Sequence, residues 1–246
     1  MREQGKKLIK LRGITKTFAQ DGDSIPVLKG IDLHIKRKEF VAITGAPGSG
    51  KSTLMRILGC LDMPTTGEYL LGGLHTANCG QAQLAWERVR RIGYVYQHFH
   101  WISHASAWTN VAQPLVYRGI AQKHRYEMAS DILERMGIGD RRDRLPRELS
   151  ENQLRRLALA RALVGRPHLL LLDDPTQELE RYEAHHLVEL LEQVMEDGVT
   201  VTVVMVTRDI DIAARCHRHL RIHNGVIDDG ARPAPENTNG DKRWNI

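Results

Sequence analysis

A glycine-rich segment at residues 45–52 carries the residue types that phosphate chemistry requires. It matches the pattern G-x-x-x-x-G-K-[ST], in the order Gly45-Ala46-Pro47-Gly48-Ser49-Gly50-Lys51-Ser52. Glycines let backbone N–H groups turn inward around phosphate oxygens, and a helix beginning at this point adds its dipole. In such a loop we expect Lys51 to reach the β- and γ-phosphates and Ser52 to ligate Mg²⁺. We call residues 45–52 the phosphate loop.

A run of leucines that ends in a carboxylate supplies the second part of such a site. Residues 168–173 read His-Leu-Leu-Leu-Leu-Asp, which predicts a buried strand with Asp173 at its carboxyl end. Beside a phosphate loop, a carboxylate in this position is expected to hold Mg²⁺ through water. The two segments together predict a site for a nucleoside triphosphate and Mg²⁺.

The surrounding sequence predicts an α/β protein. Apolar runs that are aliphatic or β-branched on both faces predict three buried parallel strands, at residues 40–44, 169–172 and 201–206. Helical patterns lie between them, one of them directly after the phosphate loop at residues 51–61. Residues 8–14 and 28–35 alternate apolar and polar side chains, which predicts half-exposed antiparallel strands. Residues 97–166 have helical periodicity and no good strand, which predicts an inserted helical subdomain.

Composition excludes several other classes. The 246 residues are 41% hydrophobic and 26% charged, as expected for one large domain or a core with an insertion, and not for a disordered, collagen-like or coiled-coil chain. The net charge of +5 is spread along the chain. No apolar stretch approaches the roughly 18 residues of a membrane helix, and the N-terminus does not read as a secretory signal. Three widely spaced cysteines favour a reducing compartment.

Several segments, in order, resemble the ATP-binding subunit of ABC transporters, and the resemblance covers residues 8–230. Residues 14–18 look like the A-loop, whose aromatic residue, here Phe18, stacks on adenine. Residues 94–97 look like the Q-loop, in which Gln97 contacts Mg²⁺ and links the nucleotide to the membrane subunit. Thr53 follows the phosphate loop in the family pattern. Residues 149–163 look like the signature motif and its helix. Residues 173–176 look like the Walker B motif and the turn that follows it.

Within this superfamily, residues 57–67 and 110–119 are similar to the macrolide-exporter and lipoprotein-release type. The resemblance implies a P-loop NTPase core of the ABC ATPase type, with an N-terminal antiparallel β subdomain and the inserted helical subdomain. It implies one domain over residues 1–230, with its core at about 1–96 and 167–230 and its helical subdomain at about 97–166. The proline, asparagine and glycine residues after position 230 predict a flexible tail at 231–246. The resemblance also implies a head-to-tail dimer, in which Ser150 and Gln153 of one subunit meet the ATP held by the other.

The signature motif departs from the family pattern Leu-Ser-Gly-Gly-Gln, because Glu151 and Asn152 replace the two glycines. A carboxylate at position 151 would oppose the γ-phosphate of the partner's ATP, since like charges at ~4 Å repel by about 1 kcal/mol even in water. The same residues suit a helix start. Ser150 and Gln153 form an S-x-x-Q capping box, and Glu151 stands in the first turn, where acids are favoured. We expect a well-capped helix with impaired contact to ATP in trans.

Two further departures affect the implied catalytic residues. The family has Glu as the general base after the Walker B Asp, and here Asp174 has a reach one methylene shorter. A misplacement near 1 Å can cost about 100-fold in rate. Arg208 stands where the family has its switch histidine, and arginine does not exchange a proton near neutral pH. Its side chain would either clamp the γ-phosphate or turn to solvent. The residues after Walker B, 177–180, are also bulkier than the family pattern.

The expected function is that of an ATP-binding subunit of a bacterial ABC export or mechanotransmission complex, peripheral at the cytoplasmic face of the inner membrane. It would bind MgATP, pair with a second ATP-binding subunit and a membrane permease, and hydrolyse ATP slowly or not at all. One alternative is a non-hydrolytic, ATP-dependent scaffold of a membrane complex. Another is an ABC ATPase acting on DNA or ribosomes, which would need a coiled-coil insertion or tandem domains. We therefore expect no nucleic-acid partner.

Two other groups of residues could suggest additional sites. Histidines near Gln97 and around Cys216 could suggest a metal site, but their spacing does not predict converging ligands, and we expect no metal besides Mg²⁺. Three tryptophans lie around the helical subdomain, and we expect them to pack in the core or against a partner: Trp86, Trp101 and Trp108.

Overall fold

The structure is a computed structural model of the chain and describes residues 7–20, 22–177, 179–196 and 200–228. The strands are β1 Lys7–Gln20, β2 Asp23–Lys36, β3 Phe40–Thr44, β4 Thr66–Leu71, β5 Leu74–His75, β6 Ile92–Val95, β7 Leu169–Asp173, β8 Thr202–Val206, β9 Arg218–His223 and β10 Val226–Asp228. The helices are α1 Lys51–Leu58, α2 Gln81–Arg91, α3 Ala107–Tyr117, α4 Gln122–Arg135, α5 Glu151–Leu163, α6 Arg181–Glu196 and α7 Ile210–Arg215. Short 3₁₀ turns lie at Thr76–Asn78, Gly139–Arg141 and Pro146–Glu148.

The first part of the chain forms a four-stranded antiparallel sheet in the order β2-β1-β4-β5. Ile9, Leu11 and Ile14 of β1 are fully buried, and a register irregularity separates Leu11 from Ile14. The predicted antiparallel pair is confirmed, although β1 and β2 run further than the alternation indicated. They stay paired as far as Gln20 opposite Asp23.

A six-stranded sheet forms the core, in the order β10-β9-β3-β8-β7-β6. Its strands are parallel except for β10, and β3 and β8 are buried along their whole length. The register places Ile43 beside Val206, and Val206 beside Asp173. The carboxyl ends of β3, β8 and β7 therefore meet at one edge of the sheet, where the phosphate loop, Arg208 and the two aspartates follow.

Between β6 and β7 the chain is helical, and α3, α4 and α5 pack around a shared apolar core with Trp101 and Trp108 against it. The α/β class, the N-terminal antiparallel sheet and the inserted helices agree with the sequence-based prediction. Domain boundaries at residues 97 and 166 stay predictions, and the predicted tail, 231–246, lies outside the described residues. In the part of the chain that is described, no helix combines the length and apolar character that a bilayer span requires.

Candidate nucleotide-binding site

The phosphate loop lies between buried β3 and α1, and its backbone needs glycine at particular positions. Gly48 and Gly50 have φ angles of 76° and 104°, in the left-handed region that side chains disfavour. Gly45 is required for a steric reason, because a Cβ there would lie 2.3 Å from the Ile222 carbonyl oxygen of β9. The loop is therefore a backbone-lined turn at a helix start, the shape that accommodates phosphate oxygens.

Lys51, the first residue of α1, is buried and folds back over the loop. Its Nζ donates to the carbonyl oxygens of Gly45 at 2.8 Å and Ala46 at 2.7 Å. Burial lowers the pKa of Lys51, and so does the charge of Arg208, while Asp174 and Asp173 act in the opposite direction. These mutual effects place the lysine, both aspartates and the arginine in one electrostatic cluster. Of the other residues predicted to contact the nucleotide or Mg²⁺ here, Pro47 and Ser52 are exposed. Thr53 is half-buried, and Ser49 is buried.

The two aspartates at the end of β7 are partly or fully buried. Burial raises the pKa of Asp173, as does the neighbouring charge of Asp174, while Lys51 lowers it. Burial also raises the pKa of Asp174, and Arg208 is the main opposing influence. Carboxylates in such an environment need cationic partners to stay ionised, and Lys51 and Arg208 lie in position to provide them.

Asp174 forms an ion pair with Arg208, and this contact follows neither of the two alternatives that the sequence left open for the arginine. Arg208 Nε lies 3.3 Å from Asp174 Oδ2, with 59% of the arginine side chain and 9% of the aspartate side chain exposed. The Asp174 backbone is also fixed, because its N–H donates to the Val206 carbonyl at 3.0 Å. Arg208 therefore lies directly against the carboxylate that replaces the family's catalytic glutamate.

The start of α5 has the predicted capping box. The Gln153 N–H donates to Ser150 Oγ at 3.3 Å, and the Ser150 N–H donates to Gln153 Oε1 at 3.0 Å. Among the described residues, no hydrogen bond or ion pair joins Ser150 or Gln153 to the phosphate loop of the same chain. Within one chain the structure therefore brings together the loop, the aspartates and Arg208, and leaves the signature residues apart from them.

The two residues that replace the signature glycines have partners of their own. Glu151 pairs with Arg155 one turn later, with Oε1 3.2 Å from the guanidinium. The Asn152 side chain donates to Glu183 of α6 at 3.2 Å and accepts from Arg156 at 3.0 Å. Both side chains are therefore engaged within the helical subdomain and its neighbour α6. The two arginines stand four residues after their partners along α5, a spacing from which the sequence could have revealed them, whereas Glu183 is reached only through tertiary packing.

Arg155 connects the signature helix to two other segments, a role that the sequence motifs did not indicate. It is buried and donates to the carbonyl oxygens of Pro175 at 3.3 Å and Gln177 at 2.7 Å. Its guanidinium lies 5.6 Å from the Phe99 ring centroid. Gln97, near Phe99, donates from its side-chain amide to Gln177. The Q-loop, the segment after Asp174 and the signature helix therefore meet at one buried cation.

We expect Arg155→Met to lower the free energy of unfolding by about 2–3 kcal/mol, because it removes two charge-assisted bonds and leaves two carbonyls unpaired. Urea unfolding measures this loss. Arg147→Met is the matched control, since Arg147 is exposed and the change there should stay within about 0.5 kcal/mol. Equal losses in the two variants would contradict a specific role for Arg155.

Phe18, the residue predicted to stack on adenine, lies near the end of β1, opposite Ile25 of β2 and beyond the part of β1 that pairs with β4. Its side chain is 39% exposed, and the Lys16 ammonium lies 5.0 Å from its ring centroid. Lys16 is held in turn by Asp62 at 2.7 Å. An exposed aromatic face of this kind is available to stack on a base.

The parallel sheet, the phosphate loop at its carboxyl edge and the aspartate-terminated strand define a P-loop nucleotide-binding protein. A family profile described as ABC transporter matches residues 28–177. The chain belongs to the ABC transporter family and contains its ATPase domain.

The chain is similar to domains of larger export proteins. It is 44% identical over 228 residues to the pyoverdine export ATP-binding/permease protein PvdT of Pseudomonas syringae pv. tomato. The match covers 92% of this chain and 34% of that protein. It is 42% identical over 227 residues to the macrolide export ATP-binding/permease protein MacB 1/2 of Paracoccus denitrificans, with the same two coverages. The chain thus spans about a third of the length of these curated relatives.

A solved structure gives the same fold. The dimeric post-hydrolysis state of the ATP-binding cassette MJ0796, bound to ADP and Pi, superposes with a TM-score of 0.82 at 34% identity, covering 89% of this chain and 96% of that one.

Proposed function

We propose that the chain is the ATP-binding subunit of a bacterial ABC transporter of the export or mechanotransmission type. It binds MgATP at a dimer interface and acts on a membrane permease, peripherally at the cytoplasmic face of the inner membrane. It hydrolyses ATP slowly or not at all. The relatives that carry a permease in the same chain, and the dimeric neighbour, support this assembly by analogy.

The observation that carries the proposal is the backbone turn at residues 45–52 with Lys51 folded over it. Gly48 and Gly50 take the left-handed backbone conformation of such a turn, the Cβ position at Gly48 meets nothing within 4 Å, and Ser52 is exposed. These residues fit a triphosphate, and Ser52, Gln97 and Asp173 are the residues that would hold Mg²⁺. When bound, MgATP supplies the reactive γ-phosphoryl group and the metal that neutralises its charge.

Slow hydrolysis is proposed from what this chain places around that group. Asp174 forms an ion pair with Arg208, so the carboxylate that would act as general base already has a permanent cation against it. Glu151 and Asn152 cover the start of α5 with side chains, where bare N–H groups would best face a partner's phosphate. Both features also favour the second candidate, a non-hydrolytic scaffold that uses ATP as a structural ligand.

A groove beside the Q-loop is the proposed docking site for the permease. It is a cavity of about 500 Å³ between the core sheet and the helical subdomain, and its lining includes Tyr96, His100, Tyr117 and Arg161. Tyr117 and Tyr96 are exposed there. Gln97 lies directly after Tyr96 in the chain, so a segment seated in this groove would adjoin a residue of the nucleotide site.

One preparation tests binding and hydrolysis together. ATP affinity with and without Mg²⁺, and phosphate release, are measured on the same purified chain, alone and with a co-expressed candidate permease. We expect clear Mg²⁺-dependent binding and turnover far below that of an ABC subunit with an intact signature. Absence of binding would refute the proposed function. Turnover that rises to ordinary values with the permease would refute the slow-hydrolysis part.

We expect Phe18→Ala to weaken ATP affinity about tenfold, because stacking a base on an aromatic side chain contributes about 1–3 kcal/mol. Ile25→Ala is the control, since Ile25 lies opposite Phe18 and is similarly exposed. Titration of a fluorescent ATP analogue measures both. An equal loss in both variants would assign the effect to the strand pair rather than to the ring.

A further inference from the structure

Four arginines gather at the end of the core sheet opposite the phosphate loop, in the region of His168. They come from the β2–β3 turn, the end of α2 and the end of α3, and we call them the arginine patch: Arg37, Arg90, Arg91 and Arg118. His168 directly precedes β7, and its N–H donates to the Arg91 carbonyl at 2.9 Å. The patch therefore lies at the amino ends of β6 and β7 and is separate from the nucleotide site.

Contacts around Gly72 bring two of these side chains together, and a backbone contact places a third nearby. The guanidiniums of Arg91 and Arg37 lie 3.1 and 3.9 Å from the Cβ position at Gly72. Arg118 donates to the Gly165 carbonyl, three residues before His168. Burial lowers the pKa of His168, and the charges of Arg37, Arg91, Arg90 and Arg118 lower it further. The patch is therefore an area of concentrated positive potential.

Very little of this charge is balanced within the chain. Glu87 pairs with Arg91 at 2.5 Å. Within the described ranges, no ion pair involves Arg37, Arg90 or Arg118. Like charges gathered without counter-charges are unfavourable in the isolated chain, so an anionic partner would relieve them.

Exposed aromatic side chains adjoin the patch. Trp86 is 47% exposed, and the Arg90 guanidinium lies 5.9 Å from its ring centroid. Tyr117 is 63% exposed and directly precedes Arg118. Arginine bonds phosphate oxygens in a bidentate manner, and tryptophan and tyrosine favour the interface between headgroups and water.

We propose that the arginine patch binds the anionic phospholipid headgroups of the membrane that holds the permease. This inference rests on the proposed function, because the chain meets a membrane only if it docks on a permease. The groove proposed for docking shares Tyr117 and Gly165 with the surroundings of the patch, so docking there would bring the arginines toward the bilayer surface. Because the charges are confined to one end of the core sheet, they do not form the long stripe that would follow a nucleic-acid backbone.

Vesicle sedimentation tests the inference with the full chain. The probes are phosphatidylcholine vesicles with and without phosphatidylglycerol, and the test variant is Arg37→Gln/Arg90→Gln, whose side chains make no hydrogen bond or ion pair within the described residues. The control, Arg142→Gln/Arg147→Gln, removes the same charge from an exposed loop of the helical subdomain. We expect binding only to phosphatidylglycerol vesicles, a loss of about tenfold or more in the test variant, and little change in the control. Raised salt should weaken binding.

Three results would overturn the inference: equal binding to neutral vesicles, no binding to either vesicle, or equal binding by the test and control variants. Duplex DNA is a further probe. If the patch binds DNA as tightly as it binds the vesicles, it is a general polyanion site, and the lipid assignment is wrong. ATP affinity is measured on the same samples. Loss of lipid binding with ATP binding intact contradicts only this inference, whereas absent ATP binding contradicts the proposed function itself.

Discussion

Restoring the family residues at four positions together is expected to raise ATP turnover about 100-fold or more. The variant combines Glu151→Gly, Asn152→Gly, Asp174→Glu and Arg208→His. The expected gain follows from two changes, the return of a correctly placed general base and the return of bare N–H groups at the start of α5. Phosphate release under saturating MgATP measures it.

The Asp174–Arg208 ion pair explains why one change should not be enough. Asp174→Glu lengthens the side chain by one methylene but leaves Arg208 in place. Arg208 Nε lies 3.3 Å from the Asp174 carboxylate in the parent chain, so it remains free to pair with the new carboxylate. A base neutralised by a permanent cation is a poor proton acceptor. We therefore expect Asp174→Glu alone to stay within a few-fold of the parent chain.

Controls separate a rescued active site from contaminating activity. Lys51→Met in the four-site variant should abolish the gained turnover, because the loop then lacks the lysine that faces the phosphates. ATP affinity and thermal unfolding are followed in parallel, since Asn152→Gly also removes the bonds to Glu183 and Arg156. A folded, ATP-binding four-site variant with unchanged turnover would contradict this explanation of the slow chemistry.

The sequence predicted the parts of the fold whose signals are local. The fully apolar runs of β3 and β8 indicated buried strands, and the glycine pattern with Lys51 indicated the loop between β3 and α1. Ser150 and Gln153 stand three residues apart, so their capping box could be predicted as well. In each case the residues that define the feature are neighbours in the chain.

Features that depend on distant contacts were missed. Strands β4 and β6 carry Gly67 and Gly93, which weaken a strand pattern. Gly93 is explained only by packing, because a Cβ there would lie 2.3 Å from the Ala162 carbonyl oxygen of α5.

The features of the candidate site also separate into those set by local motifs and those set by tertiary contacts. Its loop and Asp173 followed from motifs, but Arg208 and Asp174 lie 34 positions apart and meet only because β7 and β8 are neighbours in the sheet. Arg155 likewise reaches Pro175 and Gln177 only through tertiary packing. The sequence therefore identified which residues were unusual, and the structure was needed to identify their partners.

Gly45→Ala is expected to abolish nucleotide binding and to destabilise the fold by about 3 kcal/mol, the upper range for overpacking. Its Cβ would lie 2.3 Å from the Ile222 carbonyl oxygen and 2.7 Å from Ser49 Oγ, so β9 and the loop could not both keep their places. Ile222 belongs to a strand paired directly with β3, which makes the clash one between backbones rather than one that a side chain can relieve.

Gly48→Ala, in the same loop, is the matched comparison. Unlike Gly45, Gly48 has a left-handed φ of 76°, but a Cβ there meets nothing within 4 Å. We expect it to cost only about 1–2 kcal/mol of backbone strain and to leave a chain that still folds. Urea unfolding and ATP titration of both variants test the difference. If Gly45→Ala binds ATP as well as Gly48→Ala does, close contact between β9 and the phosphate loop is not required for the nucleotide site.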